Sequence, residues 1–250
     1  MVERNAASIP VQDSIREMVR RIAAQFHPDK IILFGSHARG KAGPDSDVDL
    51  LVVMPVEGSK RRKATEIDGA LSDRTIPVDL IVVTPEEFER ARHQIGSVLR
   101  PAALEGLVLY DRAADLARRV QQWVEKAEHD LRNAEHTLTI CDEECPFDTV
   151  CFHAQQCVEK YLKSWLTSKQ LDVPRTHDLI VLLNLALASG FRGVSPQDVH
   201  PLNRYTIEAR YPGDWDPIDR PEAEQSVVTT RRIREAVRAL LPPETLRKTN

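Results

Sequence analysis

The hydrophobic pattern of this 250-residue chain changes near residues 110–113. Before that point short apolar runs alternate with helical stretches, and after it apolar residues recur at intervals of three and four over long segments. The first pattern is typical of strands mixed with helices, and the second of helices with one buried face. We therefore predict an α+β chain of two domains, a mixed-sheet domain at residues 1–112 and an all-helical bundle at residues 113–250, each long enough to bury its own core.

The first half contains three β-rich runs bounded by Gly, Pro or Asp. They lie at Ile31–Phe34, Val48–Met54 and Val78–Val83. Helices are predicted over residues 13–25 and 60–73, and a third is predicted to begin at Pro85 with Thr84 as its N-cap.

The second half reads as four amphipathic helices. They are predicted over residues 116–138, 148–170, 176–190 and 223–241. Thr176 is the expected N-cap of the third helix, and Pro242 and Pro243 end the fourth.

Charge and hydropathy exclude some classes of protein. The chain has 34 Lys and Arg against 38 Asp and Glu, a net charge of −4, which argues against coating nucleic acid by bulk charge. Its apolar runs do not exceed five residues, whereas a membrane-spanning helix needs about 20. The first ten residues also lack the apolar stretch of a signal peptide. We expect a cytoplasmic protein with no membrane partner.

The four cysteines fall within one short segment, at Cys141, Cys145, Cys151 and Cys157. Their spacing lacks the paired short intervals of common zinc sites. We expect reduced thiols, with Cys157 as a small core residue.

The strongest local signal is the run IILFGSHARG at residues 31–40. A buried strand enters a Gly-Ser turn, where the missing side chain of Gly35 allows a close approach to phosphate and Ser36 supplies a donor. Arg39 could contact phosphate or pair with an aspartate of the following loop, and both alternatives stay open. We expect His37 to be exposed.

Three aspartates follow this turn. Asp47 and Asp49 are two residues apart on a predicted strand, so both carboxylates point to the same face. Asp79 opens the next strand and can bring a third carboxylate beside them. Such a set of hard oxygen ligands suits Mg²⁺, which relieves the repulsion between the carboxylates.

The Gly35-Ser36 turn, the Asp47-x-Asp49 pair and Asp79 together resemble the minimal nucleotidyltransferases of the DNA polymerase beta superfamily, over about residues 12–110. The resemblance implies that the turn holds a triphosphate and that the three aspartates bind Mg²⁺ or Mn²⁺. It also implies that Asp79 helps to activate the acceptor hydroxyl. ATP or another NTP is the implied substrate.

The helical half resembles the HEPN domain, a nucleotide-binding helical fold, over about residues 115–242. The resemblance is carried by FHAQQCVEKYLK at residues 152–163, PRTHDL at 174–179 and ARYP at 209–212. Ribonuclease members of that family separate an Arg from a His by four to six residues. Arg132 and His136 have only three residues between them. RNA cleavage is therefore not favoured.

Five residues of the helical half could line a polar groove for an acceptor or a nucleotide. They are Lys160, Lys163, His177, Arg210 and Tyr211. The alternative for the two lysines is a solvated helix face, and for His177 it is the first turn of a helix.

Together these features predict a metal-dependent enzyme that moves a nucleoside monophosphate from an NTP to an acceptor hydroxyl. AMP is the nucleotide that we favour. The acceptor is a small molecule or a protein tyrosine, with Tyr205 and Tyr211 as candidates within the chain. The helical domain would bind the acceptor or mediate homodimerisation. The alternatives are a non-catalytic regulator that binds nucleotide or RNA, such as a toxin–antitoxin-like module, and a HEPN ribonuclease.

Overall fold

The structure of the protein is a computed structural model that describes residues 11–43, 46–94, 96–97, 99–141, 143–208 and 216–246. It divides into two compact units between Asp115 and Leu116, three residues after the proposed domain boundary. The first unit combines helices with a four-stranded sheet, and the described part of the second is helical. The predicted α+β class is confirmed.

The first unit is built on a central sheet flanked by helices. Its strands are β1 (Lys30–Phe34), β2 (Val48–Val53), β3 (Val78–Val83) and β4 (Leu107–Asp111). Its helices are α1 (Val11–Phe26), α2 (Gly35–Ala38), α3 (Lys60–Ala70), α4 (Pro85–His93) and α5 (Arg100–Glu105). A capping box of Thr84 and Glu87 fixes the start of α4, in agreement with the predicted N-cap.

The sheet has the strand order β3-β2-β1-β4. β1 is antiparallel to β2 and β4, and β2 is parallel to β3, so the sheet is mixed. Asp49 is the register partner of Phe34 in β1 and of Asp79 in β3. This register brings the end of β1 together with the beginnings of β2 and β3.

The two faces of the sheet support separate cores because side chains alternate along a strand. One face packs against α1 and α3, and the other against α4 and α5. Buried residues of the first core include Ile22, Leu50 and Ile67, and those of the second include Leu51, Phe88 and Ala102. Asp49 and Asp79 share the face of Leu51, on the α4 and α5 side.

The three predicted strands lie within a residue of their expected bounds, but β4 and α5 were not predicted. β4 is an edge strand with three consecutive exposed apolar residues, Leu107, Val108 and Leu109. The run lacks the alternation that marks a half-buried strand, and α6 begins directly after it at Arg112. These residues therefore read as a linker.

The second unit is a bundle around one long buried helix. Its helices are α6 (Arg112–Thr137), α7 (Phe147–Ser168), α8 (Leu179–Ala188), α9 (Pro196–Asn203), α10 (Tyr205–Glu208) and α11 (Arg220–Arg238), followed by a 3₁₀ turn at Pro243–Leu246. α7 is buried along most of its length, and it packs against α8, α9, α10 and α11. Within the described residues, no helix combines the length and apolarity that crossing a membrane requires.

The four predicted helices correspond to α6, α7, α8 and α11. The predicted cap of α8 was wrong, because Asp178 rather than Thr176 accepts the backbone N–H groups of Ile180 and Val181. Thr176 instead accepts the N–H of Asp178. α9 was missed, although Ser195 and Asp198 form a capping box at its start.

Candidate active site at the end of the sheet

Gly35 makes the sharp turn that ends β1. Its φ angle is +70°, a left-handed conformation that residues with a Cβ atom disfavour. A Cβ atom built on Gly35 would lie 1.9 Å from Oδ2 of Asp49. The backbone of the turn therefore lies directly against this carboxylate, and both the torsion angle and the available space require glycine.

Ser36 follows at the start of α2 and is half-buried. Its carbonyl oxygen accepts the N–H of Lys41 at 3.0 Å, which closes the turn. Within the described part of the chain, its hydroxyl has no protein partner. The hydroxyl is thus available as the donor that the sequence predicts.

Asp49 and Asp79 are adjacent across the parallel pair of strands, which are separated by about 4.8 Å in such a sheet. Partial burial raises the pKa of Asp49 above its usual value, and the negative charges of Asp79 and Asp47 raise it further. The positive fields of His37 and Arg39 partly offset this rise. All four of these groups therefore act on the same carboxylate.

Among the described residues, Asp47, Asp49 and Asp79 form no ion pair and accept no side-chain hydrogen bond. Elsewhere in the chain, the buried Glu159 and the largely buried Asp130 each pair with a lysine. The fold thus leaves one cluster of acidic groups open at the end of the sheet.

Asp47 does not lie on a strand, which corrects the sequence prediction. It directly precedes β2 and is exposed. β1 ends at Phe34, opposite Asp49, so Asp47 has no partner in that strand. Its charge nevertheless reaches Asp49, as the raised pKa of Asp49 shows.

The donor set fits a divalent cation that substrate helps to bind. Within the described residues, no three His, Cys, Asp or Glu side chains are arranged so that they could hold a metal ion by themselves. Mg²⁺, however, is usually bound by one or two carboxylates, several waters and substrate phosphates. Burial is the largest cause of the raised pKa of Asp49, and such a cation would relieve the second cause, the negative charges of Asp79 and Asp47.

Arg39 and His37 border this cluster. Arg39 is exposed and forms no ion pair with a described residue, Asp47 included, whereas Asp45 lies outside the described residues. His37 is half-buried rather than exposed, because its Nε2 bonds the carbonyl oxygen of Ser46 at 3.0 Å. In the sequence, the one feature that could have pointed to the bond between His37 and Ser46 is that His37 directly follows the Gly-Ser pair.

A largely apolar cavity of about 880 Å³ lies beside His37. Ile15 and Val19 of α1 line one side, and residues 107–109 of β4 line another. The cavity could not be predicted from the sequence, because β4 forms one of its sides and carries no clear strand pattern.

In the helical unit, the two predicted groove lysines belong to a largely buried polar network. Lys163 is buried and pairs with Glu159 at 2.8 Å, and His177 contacts Glu159 at 3.1 Å. Lys160 pairs with Asp130 at 2.5 Å. Burial by itself would raise the pKa of Glu159, but the contacts with Lys163 and His177 have the larger combined effect, so the pKa lies below its usual value. At the two lysines the predicted polar groove is therefore replaced by ion pairs with Asp130 and Glu159, whereas the side chain of His177 remains exposed.

The other groove candidates, Arg210 and Tyr211, lie outside the described residues. Tyr205 is 1% exposed, and its hydroxyl donates to Glu222 at 2.5 Å. Burial and this carboxylate raise the pKa of Tyr205. Its hydroxyl is therefore poorly placed to act as an acceptor.

The cysteines agree with the prediction of reduced thiols. The four cysteines, all of which lie within the described residues, are not joined by disulfides, and three of them, including Cys157, are buried. Burial raises the pKa of the Cys151 thiol to about 11.

Among the solved structures similar to this chain, two cover about half of it and another covers most of it. TT1696 from Thermus thermophilus is 28% identical and matches 49% of this chain and 98% of its own, with a TM-score of 0.41. ST0689, an archaeal HEPN homologue, is 22% identical over 48% of this chain and 96% of its own, with a TM-score of 0.37. Spectinomycin adenyltransferase AAD(9) from Enterococcus faecialis, solved with ATP and spectinomycin, is 15% identical over 91% of this chain and 99% of its own, with a TM-score of 0.28. All three scores are below 0.5, so no argument rests on them.

No curated protein matches the chain significantly. Two domain families do match it, and they cover separate segments. The nucleotidyltransferase domain family matches residues 15–106, and the HEPN domain family matches residues 120–240. The chain is therefore a fusion of a nucleotidyltransferase domain with a HEPN domain.

Proposed function

We propose that this protein transfers AMP from ATP to an acceptor hydroxyl and releases pyrophosphate. The observation that carries the proposal is the open acidic cluster, in which Asp49 lies against the Gly35 turn and beside Asp79. The nucleotidyltransferase domain at residues 15–106 supports nucleotidyl transfer in general. ATP as the donor is the finer part of the proposal.

The Gly35 turn would bind the triphosphate. Gly35 presents bare backbone at the turn, and the hydroxyl of Ser36, which has no protein partner among the described residues, can donate to phosphate. The guanidinium of Arg39 adds a positive charge beside the same carboxylate. These groups would orient the α-phosphate toward the acceptor.

The carboxylates of Asp47, Asp49 and Asp79 are the groups that would hold Mg²⁺ or Mn²⁺. A bound cation would neutralise phosphate charge and stabilise the departing pyrophosphate. Asp79 is exposed and would accept the proton of the acceptor hydroxyl. The acceptor oxygen then bonds the α-phosphorus while the bond from that phosphorus to pyrophosphate breaks.

The acceptor is a small-molecule hydroxyl or a tyrosine, and the helical unit would bind it or mediate a homodimer. The burial of Tyr205 argues against self-modification at that position. Intact mass after incubation with ATP and Mg²⁺ tests self-modification, because one adenylyl group per chain is readily resolved. An unchanged mass, with label transferred to another acceptor, would leave the small-molecule or partner-protein form.

The proposal is tested with ATP labelled at the α-phosphate, Mg²⁺ and a panel of hydroxyl acceptors. Asp49→Asn keeps the shape of the side chain and removes its charge, so we expect transfer to fall at least about 100-fold. Asp13→Asn is the matched control, since Asp13 is exposed and pairs with Arg16 in the same helix. Transfer by Asp49→Asn at the wild-type rate would refute the proposed site.

A further inference from the structure

His37 connects the Gly-Ser turn to the loop that carries Asp47. Its Nε2 bonds the carbonyl oxygen of Ser46 at 3.0 Å, and that carbonyl belongs to the peptide group directly before Asp47. Because a carbonyl oxygen only accepts, the imidazole donates through Nε2–H. The side chain thus reaches across nine residues to hold a single peptide plane.

The peptide group on the other side of Asp47 is held by the sheet. The N–H of Val48 donates to the carbonyl oxygen of Pro77 at 3.0 Å. Ser46 forms two further hydrogen bonds, both with Gly43. The N–H of Ser46 donates to the carbonyl oxygen of Gly43 at 3.2 Å, and the hydroxyl of Ser46 accepts the N–H of Gly43 at 2.9 Å. Those bonds are internal to the loop, so they shape it without attaching it to the Gly-Ser turn.

We propose that His37 is a positioning residue, which fixes the direction of the Asp47 carboxylate so that Asp47 and Asp49 act on one cation. This inference rests on the proposed function. Asp47 lies outside β2 and lacks the ladder bonds that orient Asp49, so the two flanking peptide groups set its backbone direction. One of those groups is fixed by backbone, and the other depends on the His37 side chain.

Four variants of the full chain separate this role from a general structural one. His37→Phe keeps the ring and removes the donor, whereas His37→Gln keeps an N–H donor at similar reach. His37→Asn also carries a donor but is too short to reach Ser46. His93→Phe is the matched control, because His93 is exposed in the same unit and its side chain forms no hydrogen bond with a described residue.

Mn²⁺ is the probe, and its free concentration is followed by electron paramagnetic resonance, with Asp47→Asn marking the loss of one ligand. We expect Mn²⁺ affinity to fall about 3- to 10-fold in His37→Phe and His37→Asn, the effect of one lost hydrogen bond. His37→Gln and His93→Phe should stay within about twofold of wild type. Circular dichroism melting verifies that each variant folds. If His37→Phe does not fold, the comparison rests on His37→Asn.

The positioning role is overturned if His37→Phe and His37→Asn bind Mn²⁺ like wild type, if His37→Gln binds as weakly as they do, or if wild-type binding does not depend on Asp47. This outcome is independent of the transfer assay. AMP transfer with unaltered Mn²⁺ affinity in the His37 variants would keep the proposed function and remove the role of His37. If the His37 variants bind Mn²⁺ more weakly but the chain transfers no nucleotide, the role of His37 is kept and the proposed function is removed.

Discussion

Replacing Asp49 with Asn should stabilise the fold while it abolishes activity. Asp49 is partly buried beside Asp79, and its carboxylate forms no ion pair with a described residue. Asparagine has nearly the same shape, so it preserves the close contact with the Gly35 turn. The change therefore removes electrostatic repulsion without creating a cavity.

The separation of the two strands sets the magnitude. Two unit charges about 5 Å apart repel by about 0.8 kcal/mol in water and by about 3 kcal/mol at an effective dielectric constant of about 20. Since Asp79 is exposed, the lower figure is the appropriate one. For a chain of this size, about 1 kcal/mol corresponds to a rise in Tm of about 2–4 °C.

The gain in stability should depend on pH. The pKa of Asp49 is raised in the folded state above its ordinary value of 3.8, so the unfolded chain loses this proton first as the pH rises. The stability that Asp49 contributes is fully present below pH 3.8 and is lost as the pH rises through the folded pKa. Asp49→Asn should therefore raise the Tm at about pH 7 and have little effect near pH 3.

Differential scanning calorimetry at both pH values, without divalent cations, measures the effect. Asp13→Asn serves as the control, because it removes a carboxylate that pairs with Arg16 on the surface. Mg²⁺ should stabilise the wild type more than Asp49→Asn. The reasoning fails if Asp49→Asn lowers the Tm at neutral pH, or if an increase of equal size persists at the acidic pH.

Three further predictions test other parts of the structure. Gly35→Ala forces a Cβ atom onto a carboxylate at positive φ, so we expect a loss of about 1–3 kcal/mol in urea unfolding and loss of transfer activity. Lys163→Met leaves the buried carboxylate of Glu159 without its lysine and should lower the free energy of unfolding by about 3 kcal/mol. Adding Glu159→Leu should recover part of this loss, and equal stability of the single and double variants would contradict the expectation. Native protein should show one fast thiol toward a disulfide reagent at about pH 8, the exposed Cys141, because burial raises the pKa of Cys151 to about 11; rapid reaction of all four thiols would refute the described burial.

Much of the fold could be predicted from the sequence because its strands and helices carry strong periodic signals. Val78–Val83 is a near-continuous apolar run in the parallel part of the sheet, and α7 has its apolar positions at helical spacing. β4 could not be found in this way, since an edge strand with exposed apolar residues shows neither alternation nor full burial. Its place in the sheet depends on pairing with β1, which is far away in sequence.

The members of the candidate site could also be named from the sequence, but their geometry could not. Gly35 and Asp49 belong together because the antiparallel register of β1 and β2 places the turn against the carboxylate. The spacing of two between Asp47 and Asp49 suggests a common strand, yet β1 ends too early to pair with Asp47. His37 gains its contact only when the loop after α2 returns to the turn.

The same physical argument separates the two acidic clusters of this protein. Glu159 has Lys163 one helical turn away and His177 within reach, so its charge is neutralised inside the helical unit and serves packing. Asp49 has two carboxylates as neighbours, and the positive groups that act on it, His37 and Arg39, do not form ion pairs with it. The fold thus keeps a partly buried carboxylate at a cost in stability, which supports the proposed cation site beside Gly35. The spacing of four residues between Glu159 and Lys163 was visible in the sequence. The lack of an ion pair to Asp49 among the described residues emerged only from the three-dimensional structure.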